Sequence, residues 1–291
     1  MKNLPREPTL VYTFLLVIAV LVLNPRPTSS WLEVEDQTEF SYIPGSPNGP
    51  ENWGKLHKDW AICNNGTKQS PINVVCNRMI SAPWLGRLKK FYVPASATLV
   101  NRGHDIELKW DIPESAGFIN IYGNIYALDQ VHWHSPSEHT INGERYALEL
   151  HMVHKNLRLR KVAVVAVLYR ICAGCENSFL SMLEDAIRDI SAGTEKKVSV
   201  GLVNPNDINV GCREYYRYKG SLTTPPCSEG VIWTIKKQVM TVSKEQVISL
   251  RRAAHDGEGC NARPLQAINN RHILNYNPWF QTTSPPSTAD M

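Results

Sequence analysis

Hydrophobic and polar residues alternate along much of this chain with the two-residue period of a pleated strand. From Arg145 to His154, Tyr146, Leu148, Leu150 and Met152 fall on one face and Ala147, Glu149, His151 and Val153 on the other. β-branched and aromatic residues also crowd Thr98 to Trp110, Phe118 to Tyr126, Asp129 to His134, Val162 to Ile171 and Val231 to Val242, and each segment reads as a strand. Helical spacing is rare. Phe179, Leu183, Ile187 and Ile190 make one apolar stripe, and Ser243-Lys-Glu-Gln246 is a capping box that predicts a short helix to about Arg252. With no internal repeat and no interior linker, the pattern predicts a mainly β single domain.

Asn142-Gly143 is a strong two-residue hairpin signal. An unbroken hairpin around it sets His151 opposite His134, although Ser135-Pro136-Ser137 must interrupt that ladder. The face on which each side chain lies depends only on alternation and is the firmer expectation.

The ends depart from this pattern. Lys2 and Arg6 precede an apolar stretch from Leu10 to Leu23, too short for a comfortable bilayer crossing and followed by Pro27-Thr-Ser-Ser30. Residues 1–30 therefore read as a cleaved secretory signal peptide, with an uncleaved signal anchor as the alternative. Residues 281–291 read as a flexible tail, without the hydrophobic end a glycolipid anchor needs. Between them, 31–280 is the expected domain, with no mature membrane anchor.

Composition agrees with export. Seven cysteines (Cys63, Cys76, Cys172, Cys175, Cys212, Cys227 and Cys260) exceed cytosolic habit, and Asn65-Gly-Thr67 is an N-glycosylation sequon. The expected destination is extracellular or cell wall, with an organelle lumen or periplasm as alternatives. Cys172-Ala-Gly-Cys175 has redox-motif spacing but no thioredoxin-like context, so it reads as structural or adventitious. A net charge of +4 over 291 residues, without a dense basic block, gives nucleic-acid binding no support.

The chemistry resides in histidines. His132 and His134, two apart on a strand, share a face, and His151 on a neighbouring strand can complete a three-nitrogen metal site. Three protein ligands plus water is the catalytic zinc arrangement, whereas structural sites close with four. Gln130 and Glu149 each lie two residues before a histidine on the same face, where imidazole N–H groups need acceptors. His139 and His154 read as structural.

Eight segments then occur in order: Asn48-Gly-Pro-Glu-Asn-Trp53, Gln69-Ser-Pro-Ile-Asn73, Asn101-Arg-Gly-His104, Gln130-Val-His-Trp-His134, Ser137-Glu-His-Thr140, Glu149-Leu-His-Met-Val-His154, Gly220-Ser-Leu-Thr-Thr-Pro-Pro226 and Asn261-Ala-Arg-Pro264. Together they resemble the alpha-class carbonic anhydrases from about Phe40 to Asn277, most closely the exported plant and bacterial members. The resemblance implies a twisted, mostly antiparallel sheet of about ten strands with short peripheral helices. It implies Zn2+ on His132, His134 and His151, oriented by Gln130, by the main-chain carbonyl near Asn261 and by Glu149, respectively.

The same resemblance implies reversible hydration of carbon dioxide to bicarbonate by a zinc-bound hydroxide. Thr223 matches the gatekeeper whose hydroxyl accepts a hydrogen bond from the zinc-bound hydroxide and donates one to Glu138, and Thr224 adds a contact to water or bicarbonate. Val153, Val164, Leu222, Val231 and Trp233 match the apolar wall that receives carbon dioxide. His104 matches the proton shuttle and Tyr42 the tyrosine that orders water. Arg102 and Glu107 depart from the small polar residue and the amide usual near the shuttle. A cation there lowers the shuttle's pKa and a carboxylate raises it. Cys63 and Cys227 match the disulfide of exported members. Sulfonamide-type and anion inhibitors are expected ligands. Two rival functions remain: a non-catalytic storage or binding protein of the same fold, and a zinc esterase.

Overall fold

Alternation becomes strand structure in a computed structural model that describes residues 40–193, 196–211, 213–254 and 260–279. The expected leader, the expected tail and Cys212 lie outside the described residues. The strands are β1 (Asn73–Val74), β2 (Met79–Ser81), β3 (Lys89–Tyr92), β4 (Ala95–Asn101), β5 (Ile106–Trp110), β6 (Gly117–Ile121), β7 (Asn124–His134) and β8 (Thr140–Ile141). They continue as β9 (Glu144–Arg145), β10 (Leu148–Asn156), β11 (Lys161–Ile171), β12 (Lys197–Val203), β13 (Tyr215–Ser221), β14 (Glu229–Lys236), β15 (Met240–Val242) and β16 (Ile273–Tyr276). The helices are short: α1 (Trp53–Leu56), α2 (Ile62–Asn65), α3 (Ser178–Met182), α4 (Glu184–Ser191) and α5 (Lys244–Ala253).

Thirteen strands form one sheet, more than the expected ten. Its spine is ten strands long, in the order β12-β4-β5-β7-β10-β11-β14-β13-β16-β2, with β3, β6 and β15 attached beside it. Pairing in this sheet is antiparallel except for β11 with β14, β11 with β15, and β16 with β2. Three expected strands are broken by turns. Thr98 to Trp110 divides into β4 and β5 around Gly103 at φ 96°, and Phe118 to Tyr126 is cut at Tyr122 and Gly123, both at positive φ. Val231 to Val242 divides into β14 and β15. The apolar stripe at 179–190 is two helices meeting at Leu183, and the Ser243–Gln246 capping box opens α5 with both reciprocal bonds formed.

The Asn142-Gly143 turn forms as expected, with both residues at positive φ, but it joins only β8 and β9, which pair with β1 in a small separate sheet. The strands that carry the three histidines are therefore not an unbroken hairpin. Five residues separate His134 from β8, whereas three separate β9 from Glu149, so the ladder slips by two: His151 faces His132, and Glu149 faces His134. A two-residue slip preserves side-chain parity, so the three histidines still share a face.

Parity also divides the core. Leu148, Leu150 and Met152 of β10 pack into the larger cluster with Val131, Val165 and Val167 and the helix residues Phe179, Leu183, Ile187, Ile190 and Leu250. Val153 faces the other way, into a cluster with Val164, Leu222, Val231 and Trp233. Each fully buried aliphatic side chain contributes about 1.5–3 kcal/mol relative to exposure. The central strands, apolar on one side and functional on the other, are thus clamped by their backs.

Candidate metal centre

His132 and His134 project from β7 and His151 from β10, all essentially inaccessible to solvent. One nitrogen of each ring is already committed. His132 Nδ1 donates to Gln130 Oε1 at 2.9 Å, His134 Nδ1 to the Asn261 carbonyl at 2.7 Å, and His151 Nε2 to Glu149 Oε1 at 2.8 Å. An acceptor on those nitrogens fixes the tautomers and leaves lone pairs on His132 Nε2, His134 Nε2 and His151 Nδ1.

These three atoms converge. The histidines form a group whose ligand atoms lie within 4.8 Å of one another, and His151 Nδ1 is 3.2 Å from His132 Nε2. Two lone pairs at that distance repel unless a cation lies between them. Nitrogens bound tetrahedrally to one zinc at about 2.0–2.1 Å stand roughly 3.3 Å apart. His134 Nε2 is buried without a hydrogen-bond partner, as is Glu138 Oε2 3.5 Å away. The donor set, its spacing and its orphaned nitrogen all fit zinc.

Electrostatics favour the ligating forms. Burial, and after it His134, Arg102 and His151, hold the His132 pKa well below the usual histidine range. Burial also lowers that of His151, against the opposing pull of Glu149. Burial pushes Glu149 up, but the charges and hydrogen bonds of His139 and His151 outweigh it and hold the carboxyl well below the usual carboxylate range.

His139 is not merely structural. Its Nδ1 and main-chain N–H both bind Glu149, at 2.7 and 2.8 Å, and its Nε2 meets the Tyr218 hydroxyl at 2.6 Å, which in turn meets Ser70 Oγ at 2.8 Å. Glu149 therefore orients a histidine of the triad while being oriented by another histidine outside it. Arg263 was also missed: its main-chain N–H binds Glu138 Oε1 at 2.9 Å, and its buried guanidinium donates to Gln69, Ser70 and Cys63. Burial lowers its pKa to about 10, still charged at neutrality. The Ser137-Glu-His-Thr140 and Asn261-Ala-Arg-Pro264 segments held the signal for both.

Of the expected apolar wall, one ring touches this centre. Val153, Val164, Leu222, Val231 and Trp233 share one buried cluster, and the Trp233 ring lies 4.8 Å from that of His151. Thr223 and Thr224 are buried just after β13, in a segment held by Leu222 N–H to Ser228 O, by Cys227 N–H to Thr224 O and by the Cys63–Cys227 disulfide. No hydrogen bond joins Thr223 to Glu138, whose Oε2 is unpartnered. His104, half-buried, stacks on Phe40 at 4.7 Å and meets the edge of Tyr42 at 5.8 Å. Cys172 pairs with Cys175, while Cys76 and Cys260 are free and exposed.

A family model for eukaryotic-type carbonic anhydrase matches residues 48–277. Alpha carbonic anhydrase 7 of Arabidopsis thaliana is 46% identical over 278 residues, covering 96% of this chain and 99% of the relative. Among solved structures, dioscorin complexed with ascorbate matches with a TM-score of 0.78 and 44% identity, covering 82% of this chain and 98% of that one. An alpha-carbonic anhydrase from Thermovibrio ammonificans in complex with the inhibitor sulfanilamide matches at 0.70 and 33%, covering 81% and 98%. The chain belongs to the alpha, or eukaryotic-type, carbonic anhydrase family.

Proposed function

We propose that this chain is a zinc enzyme that interconverts carbon dioxide and bicarbonate. The carrying observation is the convergence of three histidine lone pairs, each fixed by an acceptor on the opposite nitrogen. Zinc held there supplies a nucleophile at neutral pH by lowering the pKa of its water to about 7, an effect for which carbonic anhydrase is the reference case.

The chain's own residues do the rest. Glu138 Oε2, a buried acceptor left unpartnered, is open to the Thr223 hydroxyl; a hydrogen bond donated there would leave the Thr223 oxygen to accept from the nucleophile and orient it. Thr224 Oγ1, also buried and unpartnered, is left for bicarbonate or water. Carbon dioxide carries no charge to grip, and the wall of Val153, Val164, Leu222, Val231 and Trp233 suits it. His104, on the turn between β4 and β5, exports the proton, with Tyr42, whose ring meets it, ordering the water it relays through. Sulfonamides and small anions are the expected inhibitors. Residues 1–30 direct the chain into the secretory pathway, and exposed Asn65 is the glycosylation acceptor.

Stopped-flow carbon dioxide hydration with and without a zinc chelator, in the wild type and in His132→Ala and Thr223→Ala variants, tests the reading. Activity that survives all three treatments sinks it. A second reading, a binding protein without hydratase activity, draws on the ascorbate-bound dioscorin neighbour. It predicts ligand binding with no zinc-dependent hydration. If ester cleavage alone is found, the esterase reading stands instead.

A further inference from the structure

We propose that Arg102 is a positioning residue for proton export, fixing the turn that carries His104. The inference rests on the reading of His104 as the exporting group, and it deepens that reading.

Four residues, Arg102 to Asp105, connect β4 to β5. Such a turn is short, and Gly103 gives it a backbone angle of φ 96° with open space where a Cβ would stand, while its N–H donates to Asn101 Oδ1 at 2.7 Å and the His104 ring packs on Phe40 and Tyr42. A shuttle histidine placed there also needs the base of its turn held. Arg102 holds it. Its main-chain N–H donates to the Asp105 carbonyl at 3.0 Å, closing the turn. Its Nε donates to Asp105 Oδ1 at 2.8 Å while Nη2 donates to Oδ2, a two-pronged pairing across the base of the turn. Its third nitrogen, Nη1, lies 3.0 Å from Glu107 Oε2.

All three side chains are more than nine-tenths buried, so the pairing is shielded from the screening that weakens surface ion pairs. Glu107 stands on β5 opposite His132 on β7. The cluster therefore runs from the shuttle's turn to the strand that flanks a metal ligand. Asn261 Nδ2 adds a bond to the His104 carbonyl at 2.8 Å, and the Asn261 carbonyl orients His134. His104 is thereby referenced to the metal centre from two sides. Arg102 and Glu107, which stand out as departures near the shuttle, are bound into one cluster with Asp105, one guanidinium shared by two carboxylates, and act through placement. Proton relay through ordered water tolerates little displacement of the receiving ring, and loosening it by an ångström is costly.

Exchange of 18O between carbon dioxide and water tests this, because it separates carbon dioxide–bicarbonate interconversion from the release of labelled water, which alone needs the exported proton. In Arg102→Ala, water release should fall about tenfold, interconversion should fall much less, and added imidazole should restore the water release. Arg102→Lys, which keeps the charge but loses the fork, should fall between Arg102→Ala and the wild type. Glu107→Gln, which leaves the Asp105 fork intact, should lose less than Arg102→Ala. These two variants carry the test if Arg102→Ala does not fold. In metal-free protein, 15N relaxation should show the Gly103 and His104 amide order parameters dropping from about 0.85 to below about 0.6 in Arg102→Ala. Unchanged water release, equal losses in both rates, or unchanged order parameters would overturn the proposal. Absence of zinc-dependent exchange in the wild type would instead defeat the enzymatic reading, while the relaxation data would still judge the clamp.

Discussion

Strand β10 carries two fully buried histidines three residues apart, and their surroundings are opposite in kind. At His154, Nδ1 donates to the Met152 carbonyl at 3.0 Å and Nε2 meets the Tyr92 hydroxyl at 2.8 Å, so both nitrogens are satisfied within the larger core. At His151, Nε2 is satisfied by Glu149, but Nδ1 faces another histidine's lone pair at 3.2 Å. Burial and residue type are shared, so neither distinguishes structure from function. What distinguishes them is an account of lone pairs. A buried imidazole with nothing left to bond is a core residue, and one with a spare lone pair among others is a ligand.

The sharpest test of this contrast is to delete each ring. His151→Ala should abolish stoichiometric zinc in a metal analysis and lower carbon dioxide hydration by at least about three orders of magnitude. His154→Ala should keep its zinc and lose about 3 kcal/mol of stability in chemical denaturation, from the cavity and the orphaned partners. If His154→Ala also lost its metal, the two sites would not be separable.

Glu149→Gln probes the same boundary more gently. A neutral amide cannot accept from His139 and His151 as a buried carboxylate does, so zinc affinity, read by competition with a chromogenic chelator, should fall about 10–100-fold. A variant that binds zinc as tightly as the wild type would mean that the geometry of His151 is fixed by packing alone.

How much of this was legible beforehand follows from the range of each interaction. The triad could be read because alternation alone assigns a face, and that survives the two-residue slip of the β7–β10 ladder. The slip itself could not, since it depends on how Ser135 to His139 and Tyr146 to Leu148 fold around a separate small sheet. Gln130 and Glu149 were legible as near neighbours on the same strands. His139 was not, because its tie to His151 passes through Glu149 and exists only once the loop has closed. The same holds for the Asn261 side chain, which binds Ser135, Trp133 and His104 across the fold. Strand β13 hid because Arg217 breaks its apolar pattern, yet that side chain is buried against Thr234.

Acid titration tests the burial of His154 in another way. Burial lowers the His154 pKa to about 3, partly opposed by its backbone hydrogen bonds, against about 6.5 in the unfolded chain. Between those values the unfolded state binds the extra proton, so stability rises with pH. The contribution is fully present above about pH 6.5 and is lost as pH falls towards 3. Its slope reaches about 1.4 kcal/mol per pH unit. His132 and His151 act in the same direction, so the measurement is the difference between wild-type and His154→Gln denaturation free energies across pH 5 to 6.5. Parallel curves would show that His154 is not buried in its neutral form.

The smallest effect offers the cleanest control. Since His154 Nδ1 donates to a carbonyl, its Nε2 must accept, and the Tyr92 hydroxyl must be the donor. Tyr92→Phe removes that donor with little change of shape and leaves one buried acceptor unsatisfied, which should cost about 1–2 kcal/mol. Zinc affinity and hydration should stay within twofold of the wild type, because His154 and Met152 face the larger core while Glu149 and His151 lie on the face of the histidine triad. Equal stability losses in Tyr92→Phe and Glu149→Gln, with zinc affinity reduced in both, would show that the two faces of β10 communicate, and the lone-pair distinction between its histidines would fail.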